Sequence, residues 1–163
     1  MTITLQLQQN TVGDDLQRLV DRISRPGSRQ TRSIADAIRA GFQDNFTSAG
    51  AASGQAWPRL APSTVSQRRR EGFAGSNPIL VRTGGLRDSY VNRGGANHYE
   101  SVRQQGGYTI IEAGSEHPNA LFHERGTARM PRRSVSLLGD QSENRIANVV
   151  EFVLGQLANE VLR

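Results

Sequence analysis

Residues 119–138 read NALFHERGTARMPRRSVSLL, and the architecture follows from how that stretch is punctuated. Ala120, Leu121, Phe122, His123 and Glu124 give a short apolar–polar helical segment that stops at Gly126, the usual helix-ending residue. A loop with Arg129 and Met130 follows. Pro131-Arg132-Arg133 then leads into a strand-like SVSLL, and beyond Gly139 the pattern predicts one long amphipathic helix. Helix, glycine stop, basic proline loop and strand in such quick succession mark a place where a compact domain presents positive charge outward. Nothing in the stretch forms a catalytic set.

Downstream, residues 140–162 make the clearest helix of the chain. Asp140 followed by Glu143 resembles a capping box, and Ile146, Val149, Val150, Val153, Leu154, Leu157 and Val161 recur at helical spacing as its buried stripe. Upstream, strands are expected at 98–103 and 108–113. Gln104-Gln105-Gly106-Gly107 between them reads as a β-hairpin connection, and Gly114 closes the second strand. In ILVRTGGLRDSYV (79–91), Thr83 can cap, and residues 86–91 read as a helical turn or a strand entry. Gly84-Gly85 lacks both the spacing and the lysine of a phosphate-binding loop.

Further back, a short basic helix starts at Ser63 and carries Arg68, Arg69 and Arg70. Such a run usually forms a solvated face; the sharper reading is contact with phosphate or a lumen. Trp57-Pro58 follows the small-residue loop 47–56. The ring reads first as a core anchor, because large aromatics are mostly buried, and second as an interface hot spot. Helices are expected over 11–24 and 28–46, joined by Pro26-Gly27. The second carries Ile34, Ile38, Phe42 and Phe46 on one stripe. Residues 2–8 alternate with period two as a half-exposed strand with Ile3, Leu5 and Leu7 on one face. The expected fold is α+β. A small antiparallel sheet is packed by an N-terminal helical hairpin and a long C-terminal helix, and residues 1–163 form a single domain.

Composition narrows the function. All 20 basic residues are arginine, against 15 acids, giving a net charge of +5 and a pI near 10.9. That balance favours phosphate or an acidic protein face, and arginine's planar fork suits carboxylates at interfaces. No cysteine occurs, which excludes disulfides and thiolate chemistry. The polar N-terminus does not read as a signal peptide. No apolar run nears the ~18 residues of a membrane span, so a soluble setting without a membrane partner is expected. His98, His117 and His123 fit no common ligand spacing. His123 reads as a satisfied structural histidine, His123-Glu124 lacks a zincin's second histidine, and no G-x-S-x-G elbow occurs. The chain therefore reads as a non-enzyme with no metal and no cofactor.

The order of landmarks adds a resemblance. Phe46, Gly54, Trp57, Leu60 and Thr64 precede the arginines at 68–70. Leu80, Thr83, Gly84, Leu86 and Ser89 form a second step. After the hairpin come His123, Gly126, Met130, Pro131 and Arg133, then the closing helix. Over residues 40–160 this order resembles the phage virion morphogenesis family, the Mu-like tail completion or head–tail joining proteins. The chain departs from the family pattern at Glu124, where glutamine is common, at Ser134, where proline is common, and at Leu121-Phe122, where Tyr-Ala is common. The resemblance implies a structural protein of the virion neck or tail top, assembled in the host cytoplasm, that completes the tail and joins it to the head. It implies a six-fold ring of copies, contacts with neck, connector or tail-tube proteins, and DNA passing through the lumen without sequence-specific binding. Arg68, Arg69, Arg70, Arg129, Arg132 and Arg133 are the candidate interaction residues. Trp57, Leu80, Thr83, Gly84, Leu86, Ser89, His123, Gly126 and Pro131 take structural places. The alternative reading is a basic nucleic-acid-binding module, although no recognised DNA-binding motif is present and aromatics are few for base stacking.

Overall fold

The computed structural model describes residues 2–5, 14–76 and 78–161, with side chains described over 17–76 and 78–160. The elements run β1 (Thr2–Leu5), α1 (Asp14–Ser24), α2 (Ser28–Ser48), a 3₁₀ turn (Ala51–Ser53), α3 (Pro62–Arg70), α4 (Gly85–Val91), β2 (His98–Gln105), β3 (Tyr108–Ser115), α5 (Ala120–Arg125) and α6 (Asp140–Val161). The fold class is α+β as expected. Of the predicted N-terminal strand, residues 2–5 pair with β3; the rest of that strand and residues 11–13 of the first predicted helix lie outside the described residues.

The sheet has three antiparallel strands in the order β1-β3-β2. Gly106 and Gly107 connect β2 to β3 with φ values of 58° and 81°. Positive φ at both central residues is what a two-residue type I′ hairpin requires, and glycine adopts it without steric cost. Gly114 does not close β3, because pairing continues to Ser115, which sits opposite His98. Along β3, Thr109, Ile111 and Ala113 alternate inward and are buried.

The core is centred on α2. Ile34, Ile38, Phe42 and Phe46 are buried along one stripe, as their four-residue spacing predicts. This stripe meets Leu86 and Tyr90 of α4 and Ile111 of β3 within one apolar cluster. The Phe42 and Tyr90 rings pack edge to face at 5.4 Å between centroids, and Phe46 and Trp57 do so at 5.7 Å, the arrangement that the ring quadrupole favours. Trp57 is 6% exposed and donates its indole N–H to the Ser134 carbonyl at 3.0 Å. The ring is an anchor.

The layers run sheet, α2, α6. Both α2 and α4 touch the sheet, whereas α6 packs on α1 and α2. The two N-terminal helices thus share α6 as their partner, and α2 intervenes between α6 and the strands. Within α6, Ile146, Val153 and Leu157 are buried and Val149, Val150 and Leu154 half-buried; the Val161 side chain lies outside those described. An exposed ion pair, Arg22–Glu160 at 3.1 Å, and a half-buried one, Arg145–Asp44 at 2.8 Å, tie α6 to α1 and α2.

Two capping expectations are corrected. The α6 amides of Ser142 and Glu143 bond to the Gly139 carbonyl, so Gly139 flanks the helix. Asp140 and Glu143 therefore sit in its first turn, where their charge meets the positive end of the helix dipole. Helix α4 is entered through Gly84 at φ 92° with no side-chain cap, so Thr83 does not cap it.

Candidate functional site

The stretch 119–138 folds around one carboxylate. Glu124, on α5, accepts hydrogen bonds from the Tyr90 hydroxyl (2.9 Å), the Ser134 hydroxyl (2.6 Å), the Val135 and Ser136 backbone N–H groups (3.0 Å each) and the Ser136 hydroxyl (2.8 Å). Burial opposes its ionisation. The bonds from Ser134, Ser136 and Tyr90 outweigh that and hold the carboxyl below the ordinary glutamate range. Tyr90 is pushed well up, first by burial and then by the Glu124 charge.

SVSLL is therefore not a strand. Two successive amides turn inward to the carboxylate, and the carbonyls of Val135 and Leu137 take the side-chain amide of buried Asn45 at 2.9 and 2.6 Å. Groups that a strand would offer to a neighbouring strand are already bonded to side chains. Ser134, a departure from the family pattern, supplies one of the Glu124 bonds, and Glu124 itself, another departure, is the acceptor that a glutamine could not fully replace.

Gly126 ends α5 at φ 72°, and a Cβ there would lie 2.9 Å from the Arg132 nitrogen, so the position requires glycine. Thr127 and Met130 then close a tight turn through reciprocal backbone bonds of 2.8 and 3.2 Å. Arg129 stands on that turn and is exposed.

This turn, α3 and the segment before α4 enclose a concave site of about 550 Å³. Leu60, Ala61, Leu80, Leu86, Met130 and Pro131 supply its apolar wall. Arg59, Arg68, Arg82, Arg129, Arg133, His117 and His123 supply its cationic one, with Thr64, Thr83 and Asn119 between them. Among the described residues no aspartate or glutamate lines it.

The six candidate arginines divide. Arg68 is 6% and Arg133 4% exposed. Arg68 donates to the Pro78 carbonyl at 3.1 Å, and Arg133 to those of Pro58 at 2.9 Å and Arg59 at 3.0 Å. Arg68 is thus no part of a solvated face, and Arg133 is no free loop charge: each is a buried clamp on a loop's backbone, because a guanidinium has enough N–H donors to hold carbonyls at a distance. Arg69, Arg70, Arg129 and Arg132 are exposed. Arg132 donates to the Glu124 carbonyl at 2.9 Å.

Among the family landmarks, Leu80, Thr83, Gly84, Leu86, His123 and Pro131 line the site, and Trp57, Ser89 and Gly126 support it from outside. Ser89 is fully buried and bonds to the Leu86 carbonyl and the Ser115 hydroxyl at 2.7 Å each, joining α4 to β3. His123 is not the satisfied histidine expected, since its Nδ1 is buried with no partner. Burial, then the Arg133 charge, lowers its pKa. Burial and neighbouring cations also lower Arg68 and Arg133, with Arg82 acting on Arg68 and Arg68 on Arg133. Arg59, Arg82, His117 and Asn119 also line the site; they come from three separate segments, and no motif in the sequence links them.

The profile of the phage virion morphogenesis family matches residues 7–155. The chain belongs to that family. No curated protein and no solved structure gives a significant match. Membership makes it a bacteriophage protein of virion assembly, from a family that is typically structural. The concave site described above is built largely from the landmarks that carry the resemblance to this family.

Proposed function

We propose that this protein is a structural subunit of the virion neck or tail top that completes the tail and joins it to the head, in the manner of the Mu-like members of its family. It works as a ring of copies, six-fold by that resemblance, in contact with neck or connector and tail-tube proteins. DNA passes through its lumen without sequence-specific contact. The observation that carries this reading is the family match over nearly the whole chain. Its support from the structure is a fold whose landmarks build a cationic surface site with no acid among its described lining residues. Such a site serves docking, because its two buried cations, Arg68 and Arg133, are held on backbone carbonyls and arranged around no reacting group.

Deletion of the gene from the phage tests the reading. Full heads and separate tails that fail to join are expected in electron micrographs of the lysate, with addition of the purified protein restoring joined particles. Normal infectious particles from the deletion would overturn the assignment.

A further inference from the structure

Buried cations in proteins are ordinarily paired with an anion, because desolvating a charge without a counter-charge is costly. Among the described residues that rule is not met for the two buried guanidinium groups of this site, Arg68 and Arg133, and the exposed Arg59 and Arg129 add unpaired charge at its edge. Arg59, Arg68, Arg129 and Arg133 make no ion pair among the described residues. Arg82 is the exception, pairing with Glu71 at 3.3 Å while it lies over the Phe73 ring. The acid nearest in sequence to His123, Glu124, is saturated by its own five hydrogen bonds and faces α4 and residues 134–136. Arg68 and Arg133 repel each other across the site, and among the described residues neither has an ion-pair partner.

We infer that the site binds an acidic segment of a partner protein, with a glutamate or aspartate carboxylate seated among these guanidinium groups. Three features choose a carboxylate on a peptide over the phosphates of duplex DNA. The charge lies within a concavity and not on a ridge that could follow a backbone. Arg68 and Arg133 are held inside by loop carbonyls, so they cannot reach outward to a wide polyanion, yet each keeps N–H donors beyond those bonds. Half of the wall is apolar, which matches the aliphatic side chains that alternate with acids in a peptide and not the sugar–phosphate chain. Arginine's fork binds a carboxylate through two parallel bonds.

That the segment belongs to a neighbouring virion protein rests on the reading above; the binding itself does not. The test uses the purified full-length protein and a fluorescent peptide of leucines alternating with paired glutamates, followed by anisotropy. Saturable binding is expected. The peptide with glutamine in place of glutamate should bind about tenfold more weakly or worse, since each charge-assisted pair is worth roughly that factor. Arg59→Ala combined with Arg129→Ala should produce a similar loss with an unchanged melting curve, because neither side chain holds any part of the fold. Equal binding of the glutamate and glutamine peptides, or binding unaffected by the double substitution, would sink the proposal. So would random-sequence duplex DNA that displaces the peptide at concentrations below those at which the peptide itself binds. Peptide binding is read on the isolated protein and head–tail joining on the particle, so either claim can fail without the other.

Discussion

Glu124 shows how one side chain decides a loop. Two backbone amides and three hydroxyls point at it, so the segment 134–138 has no freedom to form a strand. Replacing it by glutamine keeps the volume but turns one acceptor oxygen into an NH₂ that faces donors. Glu124→Gln should therefore lower stability by about 1–3 kcal/mol, the cost of leaving buried partners unsatisfied, read by urea unfolding at neutral pH. The effect should also depend on pH. The folded-state pKa of Glu124 lies below the ordinary value, so its contribution is full above the ordinary glutamate pKa. It is then lost as pH falls through that value towards the folded one. The gap between parent and variant should accordingly narrow in acid. A gap that stays constant from neutral pH into acid would show that the carboxylate's charge is not what organises the loop.

At the scale of the element, α6 illustrates a helix whose partner periodicity could not name. Its stripe is buried, but against α1 and α2, with α2 standing between it and the sheet. Val153 is 4% exposed, so Val153→Asp puts a carboxyl where nothing can pair with it. A loss of at least about 3 kcal/mol is expected, seen as an unfolded or strongly destabilised chain in a melt at low protein concentration. A parent-like melt would mean that the stripe is covered by another subunit instead.

For the whole molecule, the question is what the arginines do together. The run 68–70 and the run 132–133 each contain one buried and at least one exposed member. Reversal of exposed pairs, Arg69→Glu with Arg70→Glu, should change stability by no more than about 0.5 kcal/mol. Arg133→Glu should unfold the domain, because it brings a carboxylate against the carbonyls of Pro58 and Arg59. A double reversal of Arg129 and Arg133 would therefore confuse docking with folding, and Arg129 is better tested with Arg59. If the exposed arginines instead serve nucleic acid, duplex binding by the parent would be tight and sequence-selective at physiological salt. Weak, unselective binding that fades as salt rises is expected, and filter binding across a salt series decides it.

Much of this protein was determined by patterns local in the chain. The stripe Ile34, Ile38, Phe42 and Phe46 marks α2 and its buried face, since one helical face must leave water as a unit. The glycine pair at 106–107 marks the hairpin, and the order of landmarks from Phe46 to Arg133 marks the family. The tertiary structure alone decided which arginines are buried, that SVSLL wraps a carboxylate instead of pairing as a strand, and that residues 59–68, 80–86 and 117–133 meet at one cationic site. Periodicity and turn chemistry act over a few residues and can be read along the chain. Burial of a charge, satisfaction of a carboxylate and the absence of a counter-ion depend on partners tens of residues away, brought near only when the apolar core closes.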